Sequence, residues 1–456
     1  MKKWRLPTWG YSRMLSQNKH ADYGKELFRV DRGFYLIAFI FFVVSGGALL
    51  FFSKLSGVSG RGGGNVLFQL ISLTIYGVCF YLVIRNHAKS ALFIVFQSWP
   101  LVLLLVLCFF SFLWSVEAST SIRRSIALVL SFLFCLYVVC RYQQSHIIYM
   151  IWFVCVLIAG FGFVAVALPG WGIDPNNYSY SMAWRGLSGH KNDFGRYMAL
   201  GLITSIYLMF FSNFRKIIFA MMSAVFFAFL ILSQAKTPLA SALLVLCLYP
   251  AIRFYVVGNF IEKNRAIFGT YSRMVILTVC TALVITCGYL VVEYMILALG
   301  KDLTLTGRTT IWSYALMIGE DRQWLGAGYR TFWGETLTGD FDYYNPYWVT
   351  VESFRNGHNG LIDVYLELGY MGFFLFLLFL AVFFKKLFLT GKSCTILRRE
   401  YIYFMSIFMF YLIYSVTEQV TLKQSEFLWM ILMMFFLCIS KNFKLRRLRG
   451  EGVLKI

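Results

Sequence analysis

The chain has 456 residues, of which 59% are hydrophobic and 14% are charged, and its formal net charge is +21. Soluble domains contain about 45–50% apolar and about 25% charged residues, so this composition indicates a polytopic membrane protein rather than a soluble domain with one anchor. The positive charge does not indicate a nucleic-acid partner, because no aromatic-basic interleaving or groove-reading motif accompanies it.

The first 33 residues are polar and basic and show no cleavable signal pattern, so we expect 1–33 to be a cytoplasmic N-terminus. A bilayer core requires about 20 apolar residues per helix, and the apolar runs predict about 12 transmembrane helices in an all-α fold. Their predicted ranges are 34–53, 66–84, 98–114, 122–140, 147–168, 192–211, 217–232, 238–257, 274–298, 361–384, 401–417 and 424–440. The short breaks at 233–238 and 417–423 make two hairpins.

The excess of basic over acidic residues lies on one side of this arrangement. The residues that make up this excess include Arg215–Lys216, Lys385–Lys386, Arg398–Arg399 and the stretch KLRRLRG at 444–450. A cytoplasmic excess of Lys and Arg orients multi-pass proteins, so both termini are predicted to be cytoplasmic. The domains are then 34–298 with helices 1–9, 361–440 with helices 10–12, and a basic tail at 441–456.

The cysteines do not form a disulfide framework, because all of them lie in predicted spans except Cys394, which lies in a cytoplasmic connection. No CxxC pair and no His/Cys/Asp cluster has metal-ligand spacing. No Walker or dinucleotide glycine pattern occurs, and the cytoplasmic connections are too short for a nucleotide-binding domain. We therefore predict neither a metal nor a cofactor.

Two predicted external segments are long, at 169–191 and 299–360, and loops of that length are uncommon without a function. The second segment contains GRTTIWSYALMIG, which predicts a helix lying across the outer surface. It is also rich in aromatic residues, namely Trp312, Tyr314, Trp324, Tyr329, Phe332, Trp333, Tyr343, Tyr344, Tyr347 and Trp348. These residues could form a small apolar sub-core or an interfacial belt, and a minority could stack on sugar rings.

The external face has no supply of ATP, so chemistry there requires energy that arrives with a membrane-borne substrate. A lipid pyrophosphate meets this need, since cations stabilise the charge of its leaving group and the planar fork of arginine matches phosphate oxygens. The candidate cations are Arg185, Lys191, Arg308 and Arg355. The predicted external histidines, His190 and His358, are candidate bases, because a neutral imidazole accepts a proton from a hydroxyl.

The stretch RNGHNGLIDVYLELG at 355–369 places His358 and Asn359 directly before a predicted span. Asp363 and Glu367 lie one turn apart within that span, and ionisable residues in spans are functional candidates. They could orient the histidine, bind an arginine or satisfy loop backbone groups. His358 could equally belong to a loop-to-helix cap, His190–Asn192 could cap the sixth span, and Arg308 could be a solvated surface charge.

Four stretches occur in a characteristic order between the predicted spans: SFLWSVEASTSIRR (111–124), RGLSGHKNDFG (185–195), LTGRTTIW with LGAGYRTFW (305–333), and HNGLIDVYLELGYMG (358–372). Together they resemble the O-antigen ligase and Wzy-type polymerase superfamily of envelope glycosyltransferases, and look most similar to its ExoQ-like exopolysaccharide branch. The resemblance covers about 100 to 440 and is specific for the superfamily, not for the reaction within it.

The resemblance implies a GT-C-like, metal-independent glycosyltransferase that takes a glycan from undecaprenyl pyrophosphate at the periplasmic face. In this chain, Arg308 and Arg185 would contact the pyrophosphate and His358 would activate the acceptor. Further substrate contacts are expected from His190, Lys191, Asn192, Arg355, Asn359, Asp363, Glu367, Tyr329 and Trp312.

The sequence thus favours a polymerase that joins lipid-linked repeat units of an exopolysaccharide or O-antigen. A ligase that transfers the same donor glycan to lipid A-core is the main alternative, and the shared motifs do not separate the two. A transporter of lipid-linked glycans is a third hypothesis, weakened because no internal repeat is visible. A polymerase also implies a chain-length regulator as a partner.

Overall fold

The computed structural model describes residues 30–46, 66–173, 182–211, 215–257, 308–333, 356–393 and 398–450. The helices, numbered in chain order, are α1 Arg32–Val44, α2 Val66–Leu82, α3 Ala88–Gln97, α4 Trp99–Phe110, α5 Ala118–Arg141, α6 Gln144–Ala167, α7 Lys191–Phe211, α8 Lys216–Leu232, α9 Lys236–Val257, α10 Arg308–Ile318, α11 Gly360–Ser393, α12 Arg398–Ser415 and α13 Phe427–Gly450. Within this described part no β-strand occurs, and an isolated bridge pairs Ile173 with Trp184. The predicted all-α class is confirmed for these residues.

Four described helical stretches are long and apolar enough to cross a membrane, namely Gln69–Gln97, Ala118–Arg141, Gln144–Ala167 and Gly360–Thr390. Shorter apolar helices, such as α1, α8 and the Phe427–Asn442 part of α13, accompany them. This composition is that of a multi-pass membrane protein. The count of about 12 spans and the GT-C-like arrangement stay predictions, and the predicted ninth span, 274–298, lies outside the described residues.

The last helix, α13, lies at the centre of the bundle, because every side chain from Phe427 to Ile439 is buried. A helix that is apolar on all sides requires neighbours on all sides. Phe435 stacks on Phe404 of α12 with ring centroids 4.0 Å apart, and Phe436 meets Phe379 of α11 at 5.0 Å. The centre of the bundle therefore links α13 to the helices on either side of the sequence break at 394–397.

Two helix boundaries near the N-terminus differ from the bounds of the predicted spans. α1 ends at Val44, where the Ser45 N–H bonds the Phe41 carbonyl and Gly46 adopts φ +79°, and residues 47–53 of the predicted first span lie outside the described residues. Residues 85–97 are predicted to connect two spans, but they are helical, because a π-helical turn at Val83–His87 joins α2 to α3. Charged residues end an apolar run without removing any backbone donor, so they do not by themselves end a helix.

The two short hairpins are confirmed. α8 ends at Leu232 and α9 begins at Lys236, so the first break spans 233–235. α12 ends at Ser415 and α13 begins at Phe427, which leaves a compact turn at 416–426. We call residues 416–426 the α12–α13 turn.

α11 is broken at Gly369, two residues after Glu367. Gly369 has φ +63° and ψ −164°, a backbone conformation that residues other than glycine rarely adopt. The break frees backbone groups that a segment preceding α11 then satisfies: Tyr370 N–H donates to the Gln323 carbonyl at 2.7 Å, and Gly328 N–H donates to the Glu367 carbonyl at 2.9 Å. Irregular backbone within an apolar helix is tolerated where protein covers it in this way.

Candidate active site

The segment that covers the break in α11 belongs to the LGAGYRTFW stretch, and the SFLWSVE stretch packs against its other side. Val116 N–H donates to the Ala327 carbonyl at 3.0 Å, and the Tyr329 N–H donates to Ser111 Oγ at 2.9 Å. A Cβ on Gly328 would lie 2.3 Å from Ser115 Oγ, so only glycine allows this approach. Three stretches that are separated in sequence therefore form one layered junction.

A small apolar core of four buried residues joins this junction to α10 and α11. Its buried members are Ala315, Ala327, Phe332 and Leu366, with partly buried Trp333 and Ile318 packed against them. The helix predicted in GRTTIWSYALMIG is confirmed as α10, and the apolar sub-core predicted for the loop aromatics is confirmed for Phe332 and Trp333. Tyr343, Tyr344, Tyr347 and Trp348 lie outside the described residues.

The loop before α11 is held through both backbone groups of Gly357. Its carbonyl accepts a hydrogen bond from Trp312 Nε1 of α10 at 2.6 Å, and its N–H donates to Asp363 Oδ1 at 3.0 Å. Asp363 Oδ1 also accepts from Trp333 Nε1 at 2.9 Å. Of the three roles considered for Asp363, the described contacts are those of a carboxylate that satisfies the loop backbone.

Asn359 acts as the N-cap of α11. Its Oδ1 accepts from the backbone N–H groups of Leu361 at 2.9 Å and Ile362 at 3.2 Å, which satisfies donors that have no partner within the helix. The loop-to-helix cap predicted as one alternative for this stretch is therefore present, and its acceptor is the Asn359 side chain rather than the His358 ring. The substrate contact predicted for Asn359 stays a prediction.

His358 adopts the left-handed conformation with φ +48°, and its backbone N–H donates to Asn356 Oδ1 at 3.0 Å. Such strained conformations cluster at functional sites, where the surrounding structure holds them. The His358 side chain is 36% exposed, yet its Nδ1 is buried without a hydrogen bond. Nδ1 lies 3.5 Å from Glu418 Oε2 of the α12–α13 turn.

The HKN element at the start of α7 reaches the same carboxylate. Asn192 Nδ2 donates to Glu418 Oε1 at 2.8 Å, so one side chain connects the two motifs that the sequence placed at one site. His190 is exposed, and its Nδ1 accepts from the Asn192 N–H at 3.2 Å, which is the cap geometry considered for this element. Lys191 is half-buried at the first position of α7.

Buried ions below the motifs anchor the α12–α13 turn. Arg196 of α7 pairs with Glu426 at 2.9 Å and with Asp193 at 3.1 Å, and the Arg196 side chain is only 5% exposed. Glu426 Oε2 also accepts from the Trp429 N–H at 2.7 Å, which caps α13. Because a buried charge requires partners, this cluster fixes the turn against α7.

Tyr329 anchors the same turn from the other side. Its hydroxyl donates to the Leu422 carbonyl at 2.5 Å, and none of its surface is exposed. Burial raises the pKa of the Tyr329 phenol well above its ordinary value, so it is a neutral donor. Tyr329 was predicted to contact the substrate, but its buried position makes it a structural link, and direct contact would require this junction to open.

Lys423, also on the α12–α13 turn, is a cation that sequence reasoning missed. Burial lowers the pKa of its ammonium, and its charged neighbours Asp193 and Arg196 act on that pKa in opposite directions. Among the residues that the structure describes, the ammonium makes no hydrogen bond or salt bridge. A partly buried cation in this setting is suited to binding an anion.

The remaining predicted residues lie in different places. Arg185 holds the loop that leads to α7, because its Nε donates to the Trp171 carbonyl at 3.2 Å and its N–H bonds the Gly172 carbonyl at 2.8 Å. Glu367 is buried, and its Oε1 lies 3.7 Å from Arg330 Nη1. Among the roles predicted for Glu367, this contact corresponds to the binding of an arginine. Arg308 is the first residue of α10, while its side chain and Arg355 lie outside what the structure describes.

Sequence reasoning missed the residues that join the site together: Arg196, Arg330, Glu418, Lys423 and Glu426. The stretch TEQVTLKQSE at 417–426 held a signal, because Glu418 and Lys423 lie in the predicted break at 417–423 and Glu426 follows it at the start of the next apolar run. The sequence analysis interprets this break only as the connection of a hairpin. Arg196 lies inside a predicted span, where an ionisable residue is a functional candidate by default.

The sequence is similar to known proteins over part of its length. The O-antigen ligase family matches residues 200–377, a range that contains α10, the LGAGYRTFW stretch and His358. The exopolysaccharide production protein ExoQ of Rhizobium meliloti is 27% identical over 93 residues, which cover 20% of this chain and 21% of that protein. Both matches support the O-antigen ligase and ExoQ-like superfamily.

The apolar helices indicate a multi-pass membrane protein, and the two matches support the coarse functional class of a polymerase- or ligase-type enzyme of polysaccharide synthesis. Because ExoQ is matched over about a fifth of its length, its activity as a whole protein is not transferred by this likeness. In the described part of the chain, no three His, Cys, Asp or Glu side chains are arranged to hold a metal ion. Metal-independent chemistry stays a prediction.

Proposed function

We propose that the protein is a glycosyltransferase that moves a glycan from undecaprenyl pyrophosphate to a sugar hydroxyl of a second lipid-linked repeat unit. The observation that carries this proposal is the His358 imidazole, partly exposed and brought beside the HKN element by a shared carboxylate. An imidazole that is accessible and held in a strained loop is suited to general base catalysis.

In the proposed reaction, His358 Nε2 takes the proton of the acceptor hydroxyl while the acceptor oxygen attacks the anomeric carbon of the donor glycan. The bond between that carbon and the pyrophosphate oxygen breaks, and undecaprenyl pyrophosphate leaves with the electron pair. Cations near the leaving group stabilise the charge that develops on it.

Arg308 is the proposed first contact of the pyrophosphate. It lies four residues before Trp312, so both positions share one face of α10, and Trp312 bonds Gly357 next to His358. Arg185, Lys191 and Lys423 are the further proposed cations. Lys423 is added to the proposed cations because it lies on the same turn as Glu418.

Asn359, Asp363 and Glu367 are proposed to act by holding the loop and α11 in place, and their described contacts support this. Direct substrate contacts are proposed for His190, Asn192, Trp312 and Arg355. Because Trp312 Nε1 is occupied by the Gly357 carbonyl, Trp312 would meet a sugar through its ring face.

A polymerase is proposed ahead of a ligase because the matched ExoQ protein is named for exopolysaccharide production. The ligase alternative, with lipid A-core as the acceptor, is supported by the description of the matched family. The proposed site faces the periplasm of the inner membrane, with both termini cytoplasmic, and a chain-length regulator is the proposed protein partner.

The test is reconstitution of purified protein in liposomes with the lipid pyrophosphate-linked repeat unit of its host and without lipid A-core. We expect a ladder of glycans on a gel, strongly reduced by Arg308→Ala and unchanged by Arg322→Ala. Arg322 is a suitable control because it is an exposed arginine of the same segment.

A single unchanged band in the wild-type reaction would reject the polymerase. Adding lipid A-core to the same liposomes then separates the two enzymes, since a ligase would produce one new glycolipid band. Movement of the donor across the bilayer without any new glycosidic bond would favour the transporter instead.

A further inference from the structure

Glu418 lies on the α12–α13 turn with its two carboxylate oxygens directed at two different elements. Oε1 accepts a hydrogen bond from Asn192 Nδ2 at 2.8 Å, and Oε2 lies 3.5 Å from His358 Nδ1. The contact with Asn192 fixes the first oxygen, so the direction of the second oxygen is fixed as well. The Glu418 side chain is only 12% exposed, which limits competition from water.

The two nitrogen atoms of the His358 ring have different surroundings. Nδ1 is buried and makes no hydrogen bond, although the side chain as a whole is 36% exposed. The exposed surface therefore belongs to other atoms of the side chain, among which Nε2 is the one that can accept a proton. A buried donor without a partner is costly, so Nδ1 requires an acceptor at this position.

The turn that carries Glu418 is held firmly enough to aim it. Its far end is fixed by the Arg196–Glu426 ion pair at 2.9 Å, and its middle by the Tyr329 hydroxyl on the Leu422 carbonyl. Tyr411 Oη and Thr421 Oγ1 add a buried hydrogen bond of 2.7 Å. A side chain on a rigid element is already held near its productive geometry, so less conformational entropy is lost when it contacts its partner.

We propose that Glu418 is the positioning residue of His358: it accepts the Nδ1–H, and so leaves Nε2 free to take the acceptor proton. When Nε2 gains that proton, His358 carries a positive charge beside the Glu418 carboxylate. This arrangement follows the general logic of a base that a third group orients. The inference rests on the proposed function, because it assigns Glu418 to the same proton transfer.

The distance of 3.5 Å between His358 Nδ1 and Glu418 Oε2 is longer than that of an ordinary hydrogen bond. Catalytic hydrogen bonds often tighten when the substrate binds. A small rotation of the imidazole would bring Nδ1 within hydrogen-bond distance of Oε2 while Asn192 keeps its hold on Oε1.

The test compares Glu418→Gln, Glu418→Asp, His358→Ala and the double variant His358→Ala/Glu418→Gln in the reconstituted full-length protein. Glutamine keeps an oxygen for Asn192 but presents an amide to His358, so the fold is preserved and the Nδ1 acceptor is lost. Glu320→Gln, an exposed carboxylate in the helical turn after α10, is the matched control.

We expect Glu418→Gln to lower kcat about 10- to 100-fold, with little change in the donor KM. This loss is smaller than the roughly 100- to 10,000-fold contribution of an acid–base group, because Glu418 acts through His358. Glu418→Asp should recover part of the rate. In the His358→Ala background, Glu418→Gln should have no further effect, because the residue through which Glu418 acts is absent.

Two results would overturn the inference alone: an active wild type whose Glu418→Gln variant keeps its full kcat, or a double variant in which the two losses multiply. Multiplied losses would mean that Glu418 acts independently of His358. A wild-type protein that forms no glycosidic bond with either acceptor would instead overturn the proposed function, and this inference with it.

Discussion

The α12–α13 turn carries two glutamates whose surroundings differ. The Glu426 side chain is 2% exposed, pairs with Arg196 at 2.9 Å and caps α13 through the Trp429 N–H. The Glu418 side chain is 12% exposed and meets neutral Asn192 and the His358 ring. The same chemical group thus serves the stability of the fold at one end of the turn and lies beside the candidate base at the other.

The difference shows that the degree of burial gives two identical side chains different roles, one in stability and one beside the candidate base. A fully buried ion pair leaves an uncompensated charge when either partner is lost, so Glu426 and Arg196 depend on each other. The contact between Glu418 and His358 is longer and lies near the surface, so it costs less to break and can change when a substrate binds. Substitutions in the two clusters should therefore separate stability from activity.

The largest effect on stability is expected from Arg196→Met, which removes the paired cation from the buried carboxylate of Glu426 and from the partly exposed carboxylate of Asp193. The free energy of unfolding should fall by about 3–5 kcal/mol, measured in detergent with a chemical denaturant. Arg322→Met is the control, since Arg322 is exposed and should change stability little. Equal stability of the two variants would show that the ion cluster does not hold the turn.

His358→Ala should lower activity and leave stability nearly unchanged, in contrast to Arg196→Met. The rate of glycan transfer should fall roughly 100-fold or more, as expected for loss of a general base, while the unfolding free energy changes little. The rate is measured in liposomes and the stability in detergent, on the same preparation. A variant that inserts correctly and transfers glycans at the wild-type rate would remove His358 from the proposed role.

Gly369→Ala tests the break in α11. A Cβ there would lie 2.3 Å from the Trp324 backbone at φ +63°, so we expect a loss of roughly 1–3 kcal/mol in stability. Gly77→Ala is the control, because Gly77 lies within α2 and a Cβ there meets no atom within 4 Å. The control should keep or slightly raise stability, and a similar loss in both variants would argue against the break.

The smallest effect is expected from Tyr329→Phe, which removes the hydroxyl that bonds the Leu422 carbonyl. Stability should fall by about 0.5–1.5 kcal/mol, the usual worth of one hydrogen bond, and the donor KM should stay the same. A raised donor KM with unchanged stability would instead support the substrate contact that the sequence predicted for Tyr329.

Part of the site was predictable because its residues are close together in the sequence. RNGHNG and the carboxylates of the following helix could be recognised as one unit, and the helix in GRTTIWSYALMIG follows from its periodicity. One of the roles predicted for Asp363 is to satisfy a backbone group of the loop, and Asp363 accepts the Gly357 N–H. The sequence did not select this role among the three, because the position of Trp333, the second donor to Asp363, depends on the tertiary structure.

The role of the α12–α13 turn was not predictable from local pattern. Asn192 and Glu418 are 226 residues apart, and nothing in either stretch indicates that the two side chains meet. Arg196 was counted only as part of an apolar run. Its partner Glu426 begins a helix in another part of the sequence, so the pair exists only when α7 and α13 pack together.

The sequence by itself determined the membrane class, the all-α architecture, the two long polar segments and the histidine at the start of a span. These follow from composition and from periodicity within about 20 residues, which are properties of the chain before it folds. Only the tertiary structure decided which carboxylate faces the histidine, which tyrosine is buried and where α11 breaks. Those outcomes depend on burial and on contacts between distant segments, and these arise when the helices pack together.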